Sequence, residues 1–590
     1  MDKIRLSSIS VRTFGWVQNP SDFKKLKKVV QVFDSKSATH NNLKTNRITQ
    51  LIAESDGRAY FIKELNKIPL KLKYKDLTGS AFQPRANARC NGIIQATIEG
   101  QGKKKFVDDW TSDGFIRWAH ALGFIDYDYY NDAFYITNSG LNYSQSIDGS
   151  DDERKILINA LLSYPPAVRI LNLLSNGNHL TKYDIGKMLG FSGEPGFTSL
   201  PQNILINSLA ICTDINERNK MKSDWDGSSD KYARMISGWL SKLGLVEKVP
   251  KEFNVNISGS EKIVTIPHAF KITPEGLKQL RRANGISKSQ KIIKRVYWEM
   301  LATKKTDKVY VRTRRAYILK ILQGQSKIFN INEIKKILSS KGLEENIETI
   351  ENDIKGLINI GLNVEITSRG YILKDSINEF IIPIINTEEI QKSTIEETKS
   401  NLRTKLTCVP HNYVELIEIA QDPKQNRLFE MKVMALLVDE LNFHGKHLGG
   451  SRKPDGAVYT QDYGIIVDTK AYKNGYNLPI SQADEMERYI RENKDRNIEV
   501  NPNKWWTLFP NNINCFVFLF VSSFFKGNFE SQLKRISINT GQNGATINIE
   551  NLLLITELFK KNIINHKNIY DMFKNKEINL NVNNLLKNFN

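Results

Sequence analysis

Residues Ser451 to Tyr472 have the sequence SRKPDGAVYTQDYGIIVDTKAY. Asp455 follows a proline at the start of one strand-like run, and a polar turn separates this run from a second one, GIIVDTK. Side chains two apart in a strand point to the same face, so we expect Asp468 and Lys470 to project together while Thr469 faces the other way. The short connection predicts an antiparallel pair of strands, which brings Asp455 beside Asp468.

Two carboxylates and one ammonium group at a single point are typical of a metal-dependent phosphodiesterase. The carboxylates repel each other, and Mg²⁺, which binds one or two carboxylates together with phosphate oxygens, relieves that repulsion. The order P-D-x(12)-D-x-K matches the PD-(D/E)-x-K nuclease pattern, with Asp455, Asp468 and Lys470 as catalytic residues. Glu430, in an apolar helical segment upstream, is a candidate for a supporting role behind them. Because Asp and Lys are common residues, the pattern also fits a solvated hairpin with charged ends.

Strands and helices alternate around this segment, which predicts an α/β domain. Upstream, the apolar run FIIPII is followed by a polar stretch at residues 386–390. We interpret this stretch as a linker, and residues 391–590 as the domain that carries the catalytic residues.

A pattern recurs three times before the linker. A helical segment ends at a glycine, and two strand-like runs joined by a polar turn follow it, in residues 116–141, 232–277 and 350–374. A helix followed by a hairpin is the second half of a winged helix-turn-helix, and Thr181 is placed to cap an upstream helix of the second copy. The same pattern also fits small α+β units without a role in DNA binding. Three copies in one basic chain favour DNA recognition.

The charge balance points to a polyanionic partner. The 590-residue chain carries 84 Lys and Arg against 64 Asp and Glu, a formal charge of +20. Its most apolar stretch, residues 515–521, is far too short to span a bilayer, so nucleic acid is favoured over a membrane surface. The N-terminus lacks the apolar segment of a secretory signal, and the cysteines form no C-x-x-C pair, which is typical of a cytoplasmic protein without structural zinc or disulfides.

Several segments resemble the FokI family of type IIS restriction endonucleases. In the C-terminal part the resemblance is carried by GKHLGGSRKPDGA, DYGIIVDTKAYKNGYNLPISQADEMERYI, NPNKWW and FLFVSSFFKGNF. In the N-terminal part it is carried by RTFGWVQNP, SDGFIRWAHALGF, LSYPPAVRIL, FTSLP, GSSDKYARMI and KRVYWEMLAT. It spans essentially the whole chain with similar spacing.

The resemblance implies a multidomain α+β and α/β protein, in which three winged-helix-like DNA-recognition subdomains precede a PD-(D/E)xK cleavage domain of restriction-endonuclease type. We expect the subdomains at residues 1–150, 151–288 and 289–385, the linker at 386–390 and the cleavage domain at 391–590. The family binds a short asymmetric double-stranded DNA site of the GGATG type. It cuts both strands at a fixed distance outside that site, with Mg²⁺ as cofactor and 5′-phosphate ends as products. A cytoplasmic bacterial protein with a cognate DNA methyltransferase is therefore expected.

The resemblance also implies roles for single residues. Asp455, Asp468 and the backbone carbonyl of Thr469 match metal ligands, and Lys470 matches the third catalytic residue. Ser223 and Asp226 lie where the family member has Asn and Glu, and the VYTQDYG turn is several residues shorter than its counterpart. The positions that match DNA contacts, which suit the edges of bases, are Gln18, Asn19, Arg85, Gln101, Trp110, Ser223, Asp226, Lys231 and Arg234.

Asp484 and Arg488 lie four residues apart in a predicted helix, and hence on one face. The resemblance implies that this face pairs with its copy about a two-fold axis, where Asp484 meets Arg488 of the partner subunit. Without the resemblance, an ion pair within one solvated helix explains the same residues. One catalytic centre attacks one phosphodiester at a time, so a second copy also accounts for cleavage of both strands.

Three functional hypotheses remain: a sequence-specific type IIS endonuclease, a non-enzymatic winged-helix DNA-binding regulator, and a structure-specific nuclease such as a junction resolvase. The intact Asp455, Asp468 and Lys470 argue against the regulator. Three DNA-reading modules argue against the resolvase, which needs little base readout. We therefore expect the endonuclease.

Overall fold

The computed structural model describes residues 14–18, 20–79, 89–100, 102–212, 214–257, 260–286, 292–303, 308–323, 327–383, 392–449 and 452–580. The predicted linker lies outside the described residues. The chain divides into two compact units. The first consists of Met1–Phe191, Ser228–Glu252 and Thr265–Gln391. The second consists of Ser192–Gly227, Phe253–Val264 and Lys392–Asn590.

The described residues form a mixture of helices and strands. In residues 14–146 they are α1 (Phe23–Gln31), α2 (Ala38–Asn42), α3 (Ile48–Leu51), α4 (Ser55–Leu65), β1 (Leu72–Lys73), α5 (Tyr74–Thr78), α6 (Ile93–Thr97), α7 (Asp109–Ala121), β2 (Ile125–Asp128), β3 (Ala133–Ile136) and α8 (Asn138–Gln145). In residues 151–286 they are α9 (Asp151–Ser163), α10 (Pro165–Leu174), β4 (Leu180–Thr181), α11 (Lys182–Lys187), α12 (Gln202–Ile211), α13 (Ile215–Asp224), α14 (Ser228–Lys242), β5 (Val246–Ile257), β6 (Ser260–Ile272) and α15 (Pro274–Ala283).

The remaining elements follow in the same order. In residues 292–383 they are β7 (Ile293–Lys294), α16 (Lys308–Gln323), α17 (Ile331–Ser339), α18 (Ile347–Asn359), β8 (Val364–Thr367), β9 (Gly370–Leu373) and β10 (Ser376–Ile377). In residues 392–580 they are α19 (Thr394–Lys405), α20 (Leu416–Ile419), α21 (Asn426–Ala435), β11 (His444–His447), β12 (Gly456–Tyr459), β13 (Gly464–Lys470), α22 (Ile480–Asp495), β14 (Phe516–Ser522), α23 (Phe529–Thr540), β15 (Gly544–Asn548), α24 (Ile549–Lys560), α25 (His566–Tyr570) and β16 (Lys576–Glu577).

The three recurring segments fold as predicted, each as a helix followed by a two-stranded hairpin. Helix α7 precedes β2 and β3, α14 precedes β5 and β6, and α18 precedes β8 and β9. The glycine after each helix has a positive φ, 74° at Gly123, 70° at Gly244 and 108° at Gly361, a backbone conformation that glycine adopts without strain. Thr181 caps α11 through reciprocal hydrogen bonds with Asp184. The winged-helix-like character of this part is confirmed.

Buried aromatic side chains fix the backbone at Gly15 and Pro20 within the first unit. The Trp239 indole donates to the carbonyl of Pro20 at 3.0 Å, and the Tyr164 hydroxyl donates to the carbonyl of Gly15. The ring of Trp239 also stacks on Trp118, with 4.8 Å between centroids. Because a buried indole or phenol needs a hydrogen-bond partner, these contacts hold the backbone on both sides of Gln18 in one position.

The second unit contains a six-stranded sheet in the order β11-β12-β13-β14-β15-β16. Strands β11 to β13 pair antiparallel, and β13 to β16 pair parallel. Ile466 and Phe518 of the central strands are buried in one cluster with Met486 of α22 and Leu533 of α23. Helix α21 approaches β12 so closely that a Cβ atom at Gly456 would lie 2.2 Å from the sulfur of Met434. The predicted α/β architecture of this domain is confirmed.

The segment Ser192–Gly227 packs within the second unit. The Thr198 hydroxyl donates to Glu415 Oε2 at 2.7 Å, and the other oxygen of Glu415 forms a buried ion pair with Lys432 of α21. Asn203 of α12 donates to Asp439 at 3.0 Å. Helices α12 and α13 therefore belong to the same compact unit as the six-stranded sheet.

Among the described residues, no single helix is both long and apolar enough to cross a membrane. By length and composition alone, α9 and α10 pass this criterion as a pair, with a bend of 88° between them.

Glu557 of α24 is a stability determinant of the second unit. Its carboxylate accepts hydrogen bonds from the Thr407 hydroxyl at 2.7 Å and from the backbone N–H groups of Thr407, Cys408 and Val409 at 2.9 to 3.0 Å. Burial opposes the charged form, but these hydrogen bonds lower the pKa of Glu557 to about 2.

We expect Glu557→Gln to lower the free energy of unfolding at pH 7 by about 1–3 kcal/mol, because charge-assisted hydrogen bonds are lost. The folded-state pKa lies below the ordinary value of 4.5, so the stabilisation is complete above that pH and disappears as the pH falls toward 2. Calorimetric unfolding at several pH values measures the difference between variant and wild type. Glu550→Gln, an exposed change on the same helix, is the control, and equal effects of the two changes would contradict the assignment.

Candidate active site and DNA interface

The three predicted catalytic side chains lie together at one end of the β12–β13 pair. Gly456 is opposite Val467 in this pair, which places Asp455, one residue before β12, beside the end of β13. Lys470 Nζ lies 2.8 Å from Asp468 Oδ1 and 4.0 Å from Asp455 Oδ2. The turn between the strands is tight, with the Thr460 N–H donating to the Tyr463 carbonyl at 2.8 Å.

The side chain of Thr469 differs from our expectation. Its backbone N–H and its hydroxyl both donate to Asp455 Oδ2, at 2.7 and 3.0 Å. The prediction that this side chain faces away from the site is therefore wrong. Asp455 lies in the bend before β12, beyond the last paired residues of the hairpin, where the short Thr469 side chain reaches it. The role of the Thr469 carbonyl as a metal ligand stays a prediction.

The electrostatics of the site show a shortage of positive charge. Burial and the neighbouring charge of Asp455 raise the pKa of Asp468 to about 8. Burial raises the pKa of Asp455 as well, with Lys470 opposing the shift and Glu430 adding to it. Burial disfavours the ammonium form of Lys470, yet the charges of Asp468 and Asp455 raise its pKa above the usual range. One lysine cannot neutralise this group of carboxylates.

The donor set fits a hard, oxygen-binding cation. In the part of the chain that the structure describes, no group of three or more His, Cys, Asp or Glu side chains is arranged to hold a metal. An ion at this site would therefore rely on the carboxylates of Asp455 and Asp468 together with backbone, water or substrate oxygens. Mg²⁺ is commonly bound in that way.

Helix α21 supports the end of the catalytic strand. The Asn426 side chain donates to Glu430 Oε1 at 2.7 Å and accepts from the backbone N–H of Ala471 at 3.1 Å. His447 Nε2 lies 3.2 Å from Glu430 Oε2. Glu430 is thus linked through Asn426 to the end of β13, and its supporting role stays a prediction. Asn426 was missed, although its position four residues before Glu430 on one helix could have indicated it.

Ser522 of β14 was also missed by sequence reasoning. Its hydroxyl donates to the carbonyl of Lys470 at 2.7 Å, across the parallel pairing in which Lys470 is opposite Ser522. No local pattern indicates this contact, because it depends on the register between strands that lie about fifty residues apart.

Four of the described residues that are predicted to contact DNA lie in the first unit. Gln18 is half-buried, and its side chain is hydrogen-bonded to Tyr232 of α14. Lys231 and Arg234 flank Tyr232 in the first turns of that helix and are half-buried. Trp110 is the second residue of α7 and half of its surface is exposed (50%), which is a large exposed area for a tryptophan.

Ser223 and Asp226 lie in the second unit. Ser223 is exposed near the end of α13, and Asp226, two residues beyond that helix, is buried. Asn19, Arg85 and Gln101 lie outside the described residues. The DNA-binding roles of all these residues stay predictions.

The predicted dimer residues have partners within the chain. Asp484 Oδ1 lies 2.6 Å from Arg535 Nη2 of α23. Arg488 Nη2 lies 3.0 Å from Glu485 Oε1, and its Nε lies 3.7 Å from Glu492 Oε1. Asp484 and Arg488 are thus engaged by different neighbours along the surface of α22.

Four family models match the chain. They are described as the FokI recognition domain, subdomain 1, at residues 12–146, the FokI recognition domain, subdomain 2, at residues 153–289, the FokI D3 domain at residues 301–369, and the FokI cleavage domain at residues 392–579. Together with the fold and the carboxylate–lysine centre, they define a restriction endonuclease with separate recognition and cleavage regions.

Proteins that are similar to the chain over nearly its full length belong to the same class. The chain is 54% identical over 576 residues to the type II restriction enzyme FokI of Planomicrobium okeanokoites, covering 96% of this chain and 99% of the relative. It is 32% identical over 577 residues to the type II restriction enzyme StsI of Streptococcus sanguinis, covering 95% of each. The solved structure of restriction endonuclease FokI bound to DNA matches with a TM-score of 0.92 and 53% identity over 97% of this chain and 100% of that chain. The chain therefore belongs to the FokI family of type II restriction enzymes, whose cleavage domain implies a divalent metal.

We expect Thr469→Val to slow cleavage by roughly tenfold to a hundredfold, because one hydrogen bond to a charged carboxylate is lost while the shape of the side chain is kept. Single-turnover cleavage of a DNA fragment that carries the recognition site measures this effect. Thr469→Ser keeps the hydroxyl and should retain most of the activity. Equal rates for the valine variant and the wild type would show that the hydroxyl does not position Asp455.

Proposed function

We propose that this protein is a type IIS restriction endonuclease that binds a short asymmetric site of the GGATG type in double-stranded DNA. It hydrolyses both strands at a fixed distance outside the site, with Mg²⁺ as cofactor, and leaves 5′-phosphate ends. The observation that carries the proposal is the convergence of Asp455, Asp468 and Lys470 in a chain whose relatives are type II restriction enzymes over nearly their full length. Its site of action is the bacterial cytoplasm, where a cognate DNA methyltransferase protects the host sites.

Recognition and cleavage are assigned to different parts of the chain. The recognition subdomains span residues 1–150, 151–288 and 289–385, the linker spans 386–390, and the cleavage domain spans 391–590. The residues matched by the four family models agree with these boundaries to within four residues at the end of the first subdomain, at both ends of the second subdomain and at the start of the cleavage domain. Within the second subdomain, Ser192–Gly227 packs in the same unit as the cleavage domain.

Asp455, Asp468 and the Thr469 carbonyl would hold the metal. When bound there, Mg²⁺ supplies Lewis acidity toward the phosphoryl oxygen and lowers the pKa of a bound water. Lys470 donates hydrogen bonds from its ammonium group to the developing phosphorane charge and orients the attacking water. Thr469 keeps one oxygen of Asp455 in place, and Asn426 and Ser522 hold the backbone at the end of β13.

Base recognition is assigned to residues whose chemistry suits base edges. Arg85 and Arg234 suit bidentate contacts to guanine, Gln18, Asn19 and Gln101 suit adenine, and Trp110 suits a thymine methyl group. Lys231, Ser223 and Asp226 complete the set. The exposure of Trp110 and the contact of Gln18 with α14 support a recognition surface formed by the first and second subdomains.

Cleavage of both strands requires a transient homodimer of the cleavage domain on DNA. Asp484 of one subunit pairs with Arg488 of the partner subunit about a two-fold axis, so that each contact occurs twice. The exposure of Asp484 (its side chain is 60% exposed) supports this assignment. Because Arg535 and Glu485 hold these residues within the chain, dimer formation exchanges internal ion pairs for intersubunit ones.

We expect Asp455→Ala and Asp468→Ala to abolish cleavage in Mg²⁺ while leaving binding to the recognition site intact, because the metal ligands are lost and the recognition subdomains are untouched. Plasmid digestion followed by sequencing of the ends measures activity, site and cut offset together, and a gel-shift assay measures binding. Asp462→Ala, an exposed change in the turn of the same hairpin, should cut like the wild type. Mg²⁺-dependent cutting by both catalytic variants would refute the assignment.

For the dimer, Asp484→Ala should slow double-strand breakage at low enzyme concentration by about tenfold, since an intersubunit charge pair is lost. The rate should recover as the enzyme concentration rises. Lys494→Ala changes an exposed residue of the same helix and serves as the control. An unchanged rate at low concentration would place the interface elsewhere.

A further inference from the structure

The loop that carries Asp455 is hydrogen-bonded to helix α22 and to the turn that follows it. The Tyr489 hydroxyl lies 2.8 Å from the carbonyl of Lys453, two residues before Asp455. The Asn501 side chain donates to the carbonyl of Arg452 at 3.0 Å. Tyr489 and Asn501 are both buried (4% and 0% exposed), so these two contacts fix successive backbone carbonyls just ahead of Asp455.

Each of these contacts is oriented by a glutamate. Glu485 Oε1 lies 2.8 Å from the Tyr489 hydroxyl, which therefore shares its hydrogen between Glu485 and Lys453. Glu492 Oε2 accepts from Asn501 at 2.9 Å and from the Trp505 indole at 2.9 Å. The two carboxylates thus determine how Tyr489 and Asn501 are aimed at the loop.

The same two glutamates hold Arg488. Its Nη2 atom lies 3.0 Å from Glu485 Oε1, the oxygen that Tyr489 also contacts. Its Nε atom lies 3.7 Å from Glu492 Oε1, while the other oxygen of that carboxylate holds Asn501 and Trp505. Glu485 and Glu492 therefore each contact Arg488. Each of them also contacts a residue that is hydrogen-bonded to the loop that carries Asp455.

We propose that Tyr489 and Asn501 are positioning residues that connect the dimer contact at Arg488 to the loop that carries the catalytic Asp455. When Arg488 turns toward Asp484 of the partner subunit, Glu485 and Glu492 lose their cation and redistribute their hydrogen bonds. The carbonyls of Arg452 and Lys453 respond, and the position of Asp455 depends on whether a second subunit is present. This inference rests on the proposed roles of Asp455 and Arg488, and it adds a physical connection between them.

The connection can be tested without dimer, DNA or cleavage. In the dilute full-length protein, we expect Arg488→Ala to change the amide hydrogen exchange of Lys453, Asp455 and Gly456, because the glutamates that aim Tyr489 and Asn501 lose their cation. Lys494→Ala, on the same helix, should leave that exchange unchanged. Exchange of the loop that is identical in wild type and Arg488→Ala would overturn the proposal, whatever the outcome for cleavage.

Two further variants test the role of the loop and the role of the dimer contact separately. Tyr489→Phe removes only the hydroxyl, so we expect the maximal cleavage rate to fall about tenfold, with site binding and the enzyme concentration for half-maximal rate unchanged. Tyr463→Phe, whose hydroxyl also donates to a backbone carbonyl (that of His566, at 2.9 Å), should cut at the wild-type rate. A wild-type rate for Tyr489→Phe would contradict the positioning role.

Glu485→Gln keeps an oxygen acceptor for Tyr489 but removes the charge that holds Arg488 within the chain. We expect the enzyme concentration for half-maximal double-strand cleavage to fall about threefold, because Arg488 is released for the partner subunit. An unchanged or higher concentration would show that Glu485 does not compete for Arg488. If the wild type cuts DNA and these variants behave like it, the connection fails while the proposed function stands.

Discussion

Two hydrogen bonds from Thr469 to one oxygen of Asp455 are the contact on which the catalytic centre depends. They draw the bend before β12 against the end of β13, and so bring a second buried carboxylate beside Asp468. Burial of the pair is unfavourable, as the raised pKa of both groups shows, and Lys470 offsets it only in part. The centre is therefore suited to a divalent cation.

The surrounding helices support this centre through the backbone. Asn426 of α21 binds the N–H of Ala471, just after Lys470, and Tyr489 of α22 binds the carbonyl of Lys453, just before Asp455. Such contacts place the catalytic side chains while leaving their hydrogen-bonding capacity for metal and substrate. Since α22 also carries the proposed dimer residues, a helix that supports the loop can transmit the presence of a second subunit.

The recognition part is held together by a different set of contacts. Its modules are local helix–hairpin units whose helices end at a glycine. The buried side chains of Trp239 and Tyr164 donate hydrogen bonds to the carbonyls of Pro20 and Gly15 and fix the backbone there. This arrangement places Gln18 beside Tyr232 of α14, between the two helix residues predicted to contact DNA. Residues far apart in sequence thereby form one surface of a FokI-family enzyme.

The sequence by itself determined the helix–glycine–hairpin modules, the Thr181 cap and the pair of strands that brings Asp455, Asp468 and Lys470 together. Those features depend on turn chemistry, periodicity and short spacings, which neighbouring residues encode. Only the tertiary structure decided that the Thr469 hydroxyl reaches Asp455 and that Ser192–Gly227 packs in the unit of the catalytic sheet. It also decided that Arg535, about fifty residues away, holds Asp484. These contacts depend on how distant segments pack, and no local pattern in the sequence specifies that packing.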